Sequence, residues 1–233
     1  MKIIITRPQE DAGPLSKILL TLGHQPIVLP LLKILVRANV QIPIKPYQAI
    51  CLTSANAVRV LNVLNAFKHI PIIAVGPQSM RMALDMGFTN VEAQGGDVIG
   101  LHKFMTSHFS ANEGPLLYLS GAETSGDLEG RLNQSGFDVD RVITYDAIPA
   151  SLRGKEEQVK TADAVVLYSP RSAKLWVQQV KNLNLETSAR LIKHICLSTN
   201  VAANLPQSWP TATAVAPNEH SLLALLDQNT KAE

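Results

Sequence analysis

The sequence has few aromatic residues and almost no net charge. Phe, Trp and Tyr make up 5% of its 233 residues, and the formal net charge is +2. Proteins that stack single-stranded nucleic acid need many aromatic rings, and nucleic-acid binders in general carry a strongly basic face. We therefore expect no nucleic-acid partner. Hydrophobic residues make up 46% of the chain and charged residues 17%, which is typical of a folded protein with a substantial core.

Cysteine is too scarce for a zinc motif or a disulfide framework. The two cysteines, Cys51 and Cys196, each lie inside an apolar, strand-like run. Such positions favour buried free thiols, although a single disulfide remains an alternative.

Long apolar runs are also lacking. The first residues, "MKIIITRPQED", hold three consecutive isoleucines before polar residues begin, and no later run approaches the length of a membrane span. The pattern predicts no signal peptide, no membrane association and a cytoplasmic location.

Familiar motifs for cofactors and metals are missing as well. The sequence has no phosphate-binding GxxxxGK[ST] loop, no GxGxxG after its first strand, and no HExxH. No catalytic Cys–His pair or carboxylate dyad stands out, and the six histidines are scattered. We expect no cofactor and no metal.

Short apolar runs alternate with amphipathic stretches along the chain. The predicted strands cover 2–6, 25–30, 49–52, 70–76, 115–120, 163–169 and 193–198. The predicted helices cover 10–23, 56–67, 79–87, 98–109, 126–136, 172–180, 201–205 and 219–229. Buried strands that alternate with helices are typical of α/β proteins, in which helices cover both faces of a parallel sheet.

Three stretches of the chain recur in the same order. Residues 3–26 resemble 116–139, residues 50–64 resemble 165–179, and residues 73–84 resemble 195–205 with one gap. Any two strand–helix units look somewhat alike, but matching residues of the first two pairs have nearly equal separations: 114 residues from Thr6 to Ser120, and 115 from Ser54 to Ser169. The repeat favours a duplication, and hence two similar α/β lobes with a cleft between them.

Six strand-to-helix turns carry hydroxyl groups or small residues. They are Thr6-Arg7, Thr53-Ser54, Gly76–Ser79, Ser120-Gly121, Ser169–Ser172 and Ser198–Asn200. Ligands of parallel sheets collect at the carboxyl ends of the strands, and the amides at helix N-termini attract anions. Each turn taken alone is an ordinary helix cap. Together the turns predict a site for a large ligand with many carboxylates.

Several of these segments resemble the uroporphyrinogen-III synthase family. The matching pieces are "ITRP", "LTSANAV", "AVGPQSM", "GFDVDRVITYDAIP" and "AVVLYSPRSA", which follow one another across nearly the whole chain. The resemblance implies two similar doubly wound (flavodoxin-like) parallel-sheet lobes joined by a two-stranded linker. One lobe would contain residues 1–33 plus 149–233 and the other residues 38–145, with the linkers near 34–37 and 145–149.

The resemblance also implies a reaction. The family's enzymes are hydro-lyases that cyclise hydroxymethylbilane, a linear tetrapyrrole with acetate and propionate side chains, to uroporphyrinogen III. Water is lost and ring D is inverted through a spiro intermediate, without a cofactor. The family further implies a monomer that contacts the upstream hydroxymethylbilane-producing enzyme transiently. The family tyrosine that assists departure of the hydroxyl corresponds to Tyr145; the alternative is that its ring only packs the linker.

The family's binding turns correspond to the strand-end turns of this chain. The hydroxyls that carry over belong to Ser54, Ser79 and Ser169. The other expected substrate-binding residues are Thr6, Arg7, Asn56, Gly76, Ser172, Ser198 and Thr199. The chain departs from the family at three positions, with Ser198 where glycine is common, Val201 where threonine is common, and Ser120 where an arginine often precedes the glycine.

Two other functions remain open on the sequence alone, and a third is disfavoured. A non-enzymatic two-lobed protein could capture a small anion in the same cleft. An inactive paralogue of the family would keep the fold and lose the activity. A sugar- or nucleotide-dependent transferase would need a glycine-rich turn and an acidic ribose ligand, which the sequence lacks.

Overall fold

A computed structural model describes residues 1–227, apart from the side chains of residues 60–65 and 227. The chain divides into two compact units. Unit 1 comprises Met1–Lys33 and the chain from Ile148 onward, and unit 2 comprises Ile34–Ala147. The chain therefore leaves unit 1 after its first 33 residues and returns to it once unit 2 is complete.

The described residues form short strands and helices in alternation. The strands are β1 (Lys2–Ile5), β2 (Gln25–Val28), β3 (Leu32–Val36), β4 (Ala49–Leu52), β5 (Ile72–Ala74), β6 (Val91–Ala93), β7 (Leu116–Gly121), β8 (Val139–Pro149), β9 (Ala164–Leu167), β10 (Lys193–Cys196) and β11 (Thr211–Thr213). The α-helices are α1 (Gln9–Thr21), α2 (Pro77–Asp85), α3 (Val98–His108), α4 (Leu128–Gln134), α5 (Glu156–Lys160), α6 (Pro170–Asn182), α7 (Glu186–Ala189), α8 (Thr199–Ala202) and α9 (Glu219–Asp227). Residues Ala55–Phe67 form a 3₁₀ helix.

Each unit contains one sheet that is largely parallel. The sheet of unit 1 has the order β2-β1-β9-β10-β11, and all its pairs are parallel. This is the 2-1-3-4-5 order of flavodoxin-like folds. The second sheet has the order β3-β8-β7-β4-β5-β6, in which β4 to β8 are parallel. The edge strand β3 runs antiparallel to β8, because Arg37 N donates to Thr144 O and Ala150 N donates to Leu31 O, both at 2.9 Å.

The two sheets share one arrangement with a different chain order. In the second sheet, β7 and β8 take the places that β1 and β2 take in the first. Strand β7 lies beside β4, just as β1 lies beside β9. In unit 1 these two strands come first along the chain, whereas in unit 2 they come last. The internal repeat of the sequence follows this correspondence. The predicted α/β class with parallel sheets is confirmed.

Strand β1 illustrates why short, wholly apolar runs form these sheets. Ile3, Ile4 and Ile5 are each 0% exposed. Ile3 and Ile5 pack with helix α1 and helix α9 on one face of the sheet, and Ile4 packs with Trp176 on the other. A strand covered by helices on both faces needs apolar residues at every position, so its sequence shows no alternation.

One polar side chain lies at the centre of the unit 1 core. His194 on β10 is 0% exposed and stacks on Trp209, with ring centroids 4.9 Å apart. Its Nε2 accepts a hydrogen bond from Trp176 Nε1 at 3.0 Å, and its Nδ1 lies 3.2 Å from Pro210 O. These partners fix a neutral imidazole that is protonated at Nδ1. Burial lowers the pKa of His194 to about 4.

The two cysteines are free and buried. Cys51 lies on β4 and Cys196 on β10, and neither forms a disulfide, so the disulfide alternative is wrong. Burial raises the pKa of both thiols to about 12. Both side chains therefore serve as small apolar core residues at neutral pH.

Most corrections to the predicted elements concern very short ones. The strands β6 and β11 and the helices α5 and α7 were missing from the prediction, and residues 55–67 form a 3₁₀ helix rather than an α-helix. Segments of three to five residues are too short to show a hydrophobic period. The last predicted helix, 219–229, is helical over Glu219–Asp227, and its final two positions lie outside the described residues. Within residues 1–227 no helix is long and apolar enough to cross a membrane.

Candidate active site

Apart from Tyr145, the predicted site residues follow the carboxyl ends of strands in their own unit. In unit 1 they follow the neighbouring strands β1, β9 and β10, and in unit 2 they follow β4 and β5 or lie on β8. In each unit the structure therefore gathers these residues at the edge of the sheet where the parallel strands end. The members from unit 1 are Thr6, Arg7, Ser169, Ser172, Ser198 and Thr199, and those from unit 2 are Ser54, Asn56, Gly76, Ser79 and Tyr145.

The turn after β9 is closed by a capping box. Ser169 Oγ accepts a hydrogen bond from Ser172 N at 3.1 Å, and Ser172 Oγ accepts one from Ser169 N at the same distance. Ser172 Oγ also donates to Ser169 O at 2.8 Å. These hydroxyls are therefore largely used within helix α6 itself.

Two further serines cap their helices more simply. Ser54 Oγ accepts from Asn56 N at 3.2 Å, and Ser198 Oγ accepts from Val201 N at 3.4 Å. Asn56 is buried, and its Oδ1 accepts from Arg59 Nε at 2.9 Å. Because Ser54 and Ser198 cap as acceptors, each still has an O–H that can donate to a ligand. Helix α8 begins at the exposed Thr199 and is only four residues long.

The turn after β5 differs from the serine-capped turns. Gly76 is the N-cap of α2 and supplies no side-chain cap, and Pro77 occupies the first helical position. A Cβ at Gly76 would meet nothing within 4 Å, so space is open there. Ser79, in the first turn, is 6% exposed, and its hydroxyl has no hydrogen-bond partner within the described residues. Because this turn has no side-chain cap, the first-turn amides of α2 can serve an anion.

Thr6 has a structural contact that the sequence did not reveal. Its side chain is 2% exposed, and Oγ1 donates to Val166 O at 2.7 Å. The hydroxyl therefore ties the end of β1 to β9. Its proton is used in that bond, which leaves only acceptor capacity on this oxygen.

Arg7 is held by two neighbours rather than lying on an open surface. Its guanidinium carbon is 4.7 Å from the centroid of the Tyr168 ring, and Nη1 is 3.3 Å from Glu219 Oε2. Tyr168 donates to the same carboxylate oxygen at 3.4 Å. Burial, followed by the charge of Glu219, raises the pKa of Tyr168 well above its ordinary value. Neither Tyr168 nor Glu219 was a predicted site residue.

Tyr145 on β8 is 8% exposed and belongs to the core of unit 2. Its ring lies directly against the backbone of Gly121, where a Cβ would sit 2.7 Å from Cζ and 2.9 Å from the hydroxyl oxygen. Gly121 pairs with Tyr145 across a register shift between β7 and β8. The phenol is therefore placed at the turn that follows β7, and only glycine leaves room for it there.

Arg141 reaches the same turn, although it was not a predicted site residue. Its Nε donates to Ser120 Oγ at 2.8 Å, and its Nη2 donates to the carbonyls of Gly121 and Ala122 at 3.0 and 3.2 Å. The position that often holds an arginine in the family, Ser120, thus receives a guanidinium from the neighbouring strand. Across the described residues, no group of three or more His, Cys, Asp or Glu side chains could hold a metal ion.

The chain matches known proteins at the level of both family and fold. A structure of uroporphyrinogen-III synthetase from Helicobacter pylori superposes with a TM-score of 0.70 at 18% identity, covering 98% of this chain and 99% of that one. A mutant uroporphyrinogen III synthase from Thermus thermophilus superposes with a TM-score of 0.55 at 13% identity over the whole of both chains. No curated protein sequence matches. The model of the family described as "Uroporphyrinogen-III synthase HemD" matches residues 13–226, and the chain therefore belongs to the uroporphyrinogen-III synthase family.

Proposed function

We propose that the chain binds hydroxymethylbilane through its strand-end turns and closes it to uroporphyrinogen III, with loss of water and inversion of ring D. Family membership makes the chain a uroporphyrinogen-III synthase, a lyase of haem tetrapyrrole biosynthesis. The observation that carries the proposal is the extent of that match, which spans residues 13–226. The proposed details concern which residues hold the substrate and which assist the chemistry.

The proposed binding mode follows from the charge of the substrate. Its acetate and propionate groups are carboxylates, and helix N-termini bind carboxylates through free amides and the helix dipole. The uncapped start of α2, with Gly76 and Ser79, supports this mode best. The hydroxyls of Ser54 and Ser198 would add one donor each. In unit 1 the guanidinium of Arg7 would add charge.

Tyr145 is the proposed catalytic residue. In the dehydration step the bond between the hydroxymethyl carbon and its oxygen breaks, and the oxygen takes up a proton and leaves as water. A phenol can donate that proton or a hydrogen bond to the departing oxygen. The close approach of the Tyr145 hydroxyl to the turn at Gly121, which follows β7 beside the binding strand β4, supports this role.

The setting of the enzyme is proposed on the family resemblance. We propose a cytoplasmic monomer that receives its substrate by transient contact with the enzyme that makes hydroxymethylbilane. The instability of a linear tetrapyrrole that closes spontaneously to the type I isomer supports such a handover. We also propose that residues 34–37 and 145–149 act as linkers between two substrate-binding lobes.

The experiment that tests the function is an isomer analysis. The purified chain is supplied with hydroxymethylbilane, and the products are separated into type I and type III uroporphyrinogens. Predominant type III product is expected. Type I alone, which forms without catalysis, would contradict the proposal. If type I alone forms while the substrate still binds, the chain is an anion-binding protein or an inactive paralogue of the family.

A further inference from the structure

In each unit an arginine lies over a tyrosine ring and pairs with a glutamate. In unit 1 the arginine is Arg7, which lies over the Tyr168 ring with Nη1 3.3 Å from a carboxylate at the start of α9. In unit 2 the guanidinium carbon of Arg141 lies 6.0 Å from the centroid of the Tyr118 ring. Its Nη1 is 3.5 Å from Glu129 Oε2, in the first turn of α4. The arginines are 22% and 25% exposed, and each glutamate is 37% exposed.

The duplication of the fold does not account for this likeness. Arg7 follows β1, whose counterpart in unit 2 is β7, whereas Arg141 lies on β8. The stacked tyrosines also differ in place, since Tyr168 follows β9 and Tyr118 lies on β7. The same three side chains therefore meet at non-equivalent positions of two related sheets. A shared requirement for a guanidinium at this edge explains that better than inheritance of one contact.

The hydrogen bonds of Arg141 leave one of its nitrogens available. Nε and Nη2 donate to the turn at Ser120, Gly121 and Ala122 and hold the guanidinium plane in place. Nη1 has only the Glu129 contact among the described residues. At 3.5 Å that contact is longer than the 2.7–2.9 Å of a strong charge-assisted hydrogen bond. The Arg141 guanidinium is therefore held firmly through Nε and Nη2, whereas its contact with Glu129 through Nη1 is weak.

The surroundings of Arg141 connect it to the proposed substrate turns. The Tyr118 hydroxyl lies 3.0 Å from Thr53 Oγ1, and Thr53 immediately precedes the helix cap Ser54. Burial raises the pKa of Tyr118, so its hydroxyl stays neutral and can donate a hydrogen bond. A carboxylate that reaches Arg141 Nη1 would therefore lie on the same edge of the unit 2 sheet as the turn at Ser54.

We propose that Arg141 binds a carboxylate of the tetrapyrrole substrate, and that Glu129 occupies its guanidinium as an internal carboxylate until the substrate displaces it. This inference rests on the proposed function. Glu129 is exposed enough to turn into solvent when displaced, so its release costs little. The fixed plane of Arg141 loses little freedom when the substrate carboxylate replaces Glu129.

The test compares the Michaelis constant for hydroxymethylbilane in matched variants. Glu129→Gln removes the competing charge and keeps the shape, so KM is expected to fall several-fold with kcat unchanged. Arg141→Gln is expected to raise KM about tenfold, which corresponds to about 1.4 kcal/mol. In the double variant the gain from Glu129→Gln should vanish, because the two changes act on one contact. Arg141→Lys keeps the charge and should fall between wild type and Arg141→Gln.

Lys45→Gln is the matched control. It breaks a 2.7 Å ion pair with Asp140, the neighbour of Arg141 on β8, and should leave KM unchanged. An unchanged or raised KM in Glu129→Gln would overturn the inference, because the ion pair between Glu129 and Arg141 would then have only a structural role. This outcome can be read even if Arg141→Gln fails to fold. Type III product from the wild-type chain with no response in KM overturns this inference alone. Type I product alone from the wild type overturns the proposed function with it.

Discussion

The buried His194 should make the stability of unit 1 depend on pH. Its pKa is lowered from 6.5 to about 4 in the folded chain, chiefly because burial disfavours the imidazolium. The unfolded chain therefore binds a proton more readily than the folded chain. The stabilisation is fully present above pH 6.5 and is lost as the pH falls toward 4.

The size of the effect follows from the difference between the two pKa values. At about 1.36 kcal/mol per pKa unit, the full loss is about 3 kcal/mol, and about 2 kcal/mol of it occurs between pH 7 and pH 5. This is a large share of the 5–15 kcal/mol that stabilises a typical domain. Protonation would also break the hydrogen bond from Trp176 Nε1, because Nε2 would then become a donor.

Urea unfolding followed by tryptophan fluorescence measures this loss directly. The chain has two tryptophans, Trp176 and Trp209, and both contact His194 in the core of unit 1, so the signal reports that unit. The free energy of unfolding should fall by about 2 kcal/mol between pH 7 and pH 5 in wild type. In His194→Gln the fall should shrink by that amount. His220→Gln, which removes an exposed histidine of the same unit, should behave like wild type. An equal pH dependence in His194→Gln and wild type would refute the reasoning.

Three further predictions concern the strand-end turns. Tyr145→Phe should lower kcat about 100-fold with at most about 1 kcal/mol lost from the free energy of unfolding. In the control Tyr47→Phe, kcat should stay the same while the free energy of unfolding falls by about 1.5–3 kcal/mol, since the Tyr47 hydroxyl donates to Asp140 at 2.7 Å. Equal turnover in both variants would remove the proposed role of Tyr145. Gly121→Ala should also lower kcat, because its Cβ would sit 2.7 Å from the Tyr145 ring. The control Gly13→Ala, in α1 with open space around its Cβ, should keep kcat and raise the thermal midpoint. A fully active Gly121→Ala would show that the Tyr145 ring can move without consequence for turnover. Ser169→Ala should cost about 1 kcal/mol in thermal denaturation because it removes the hydroxyl that accepts from Ser172 N, one half of the capping box, and an unchanged midpoint would contradict that view of the turn.

The sequence predicted the class of the fold because buried parallel strands have a local signature. Short apolar runs such as Ile3–Ile5 need no knowledge of their neighbours to be recognised. Strand β8 could not be recognised in this way, and the predicted linker near 145–149 covers about half of it. It forms one strand from Val139 to Pro149 because it pairs with both β7 and β3. That pairing joins residues that are far apart along the chain.

The same difference separates the site residues that could be predicted from those that could not. The caps at Ser54, Ser169 and Ser198 involve partners two or three residues away, so their motif is visible in the sequence. Arg141 contacts the β7 turn across 19 to 21 residues and depends on the register of two strands. Register follows from packing in three dimensions, and no local pattern of residues encodes it.

The order in which the strands occur along the chain has a consequence for synthesis. Unit 2 is a continuous segment of 114 residues, Ile34–Ala147, whereas β1 and β2 must wait for β9, β10 and β11 to complete their sheet. A chain that grows from its N-terminus can therefore fold unit 2 while the apolar strands β1 and β2 remain unpaired with β9. Strand β1 carries three fully buried isoleucines and is prone to aggregate while exposed. Slow translation of the last third of the chain would lengthen that exposure, so the yield of folded protein should depend on how quickly the ribosome finishes it.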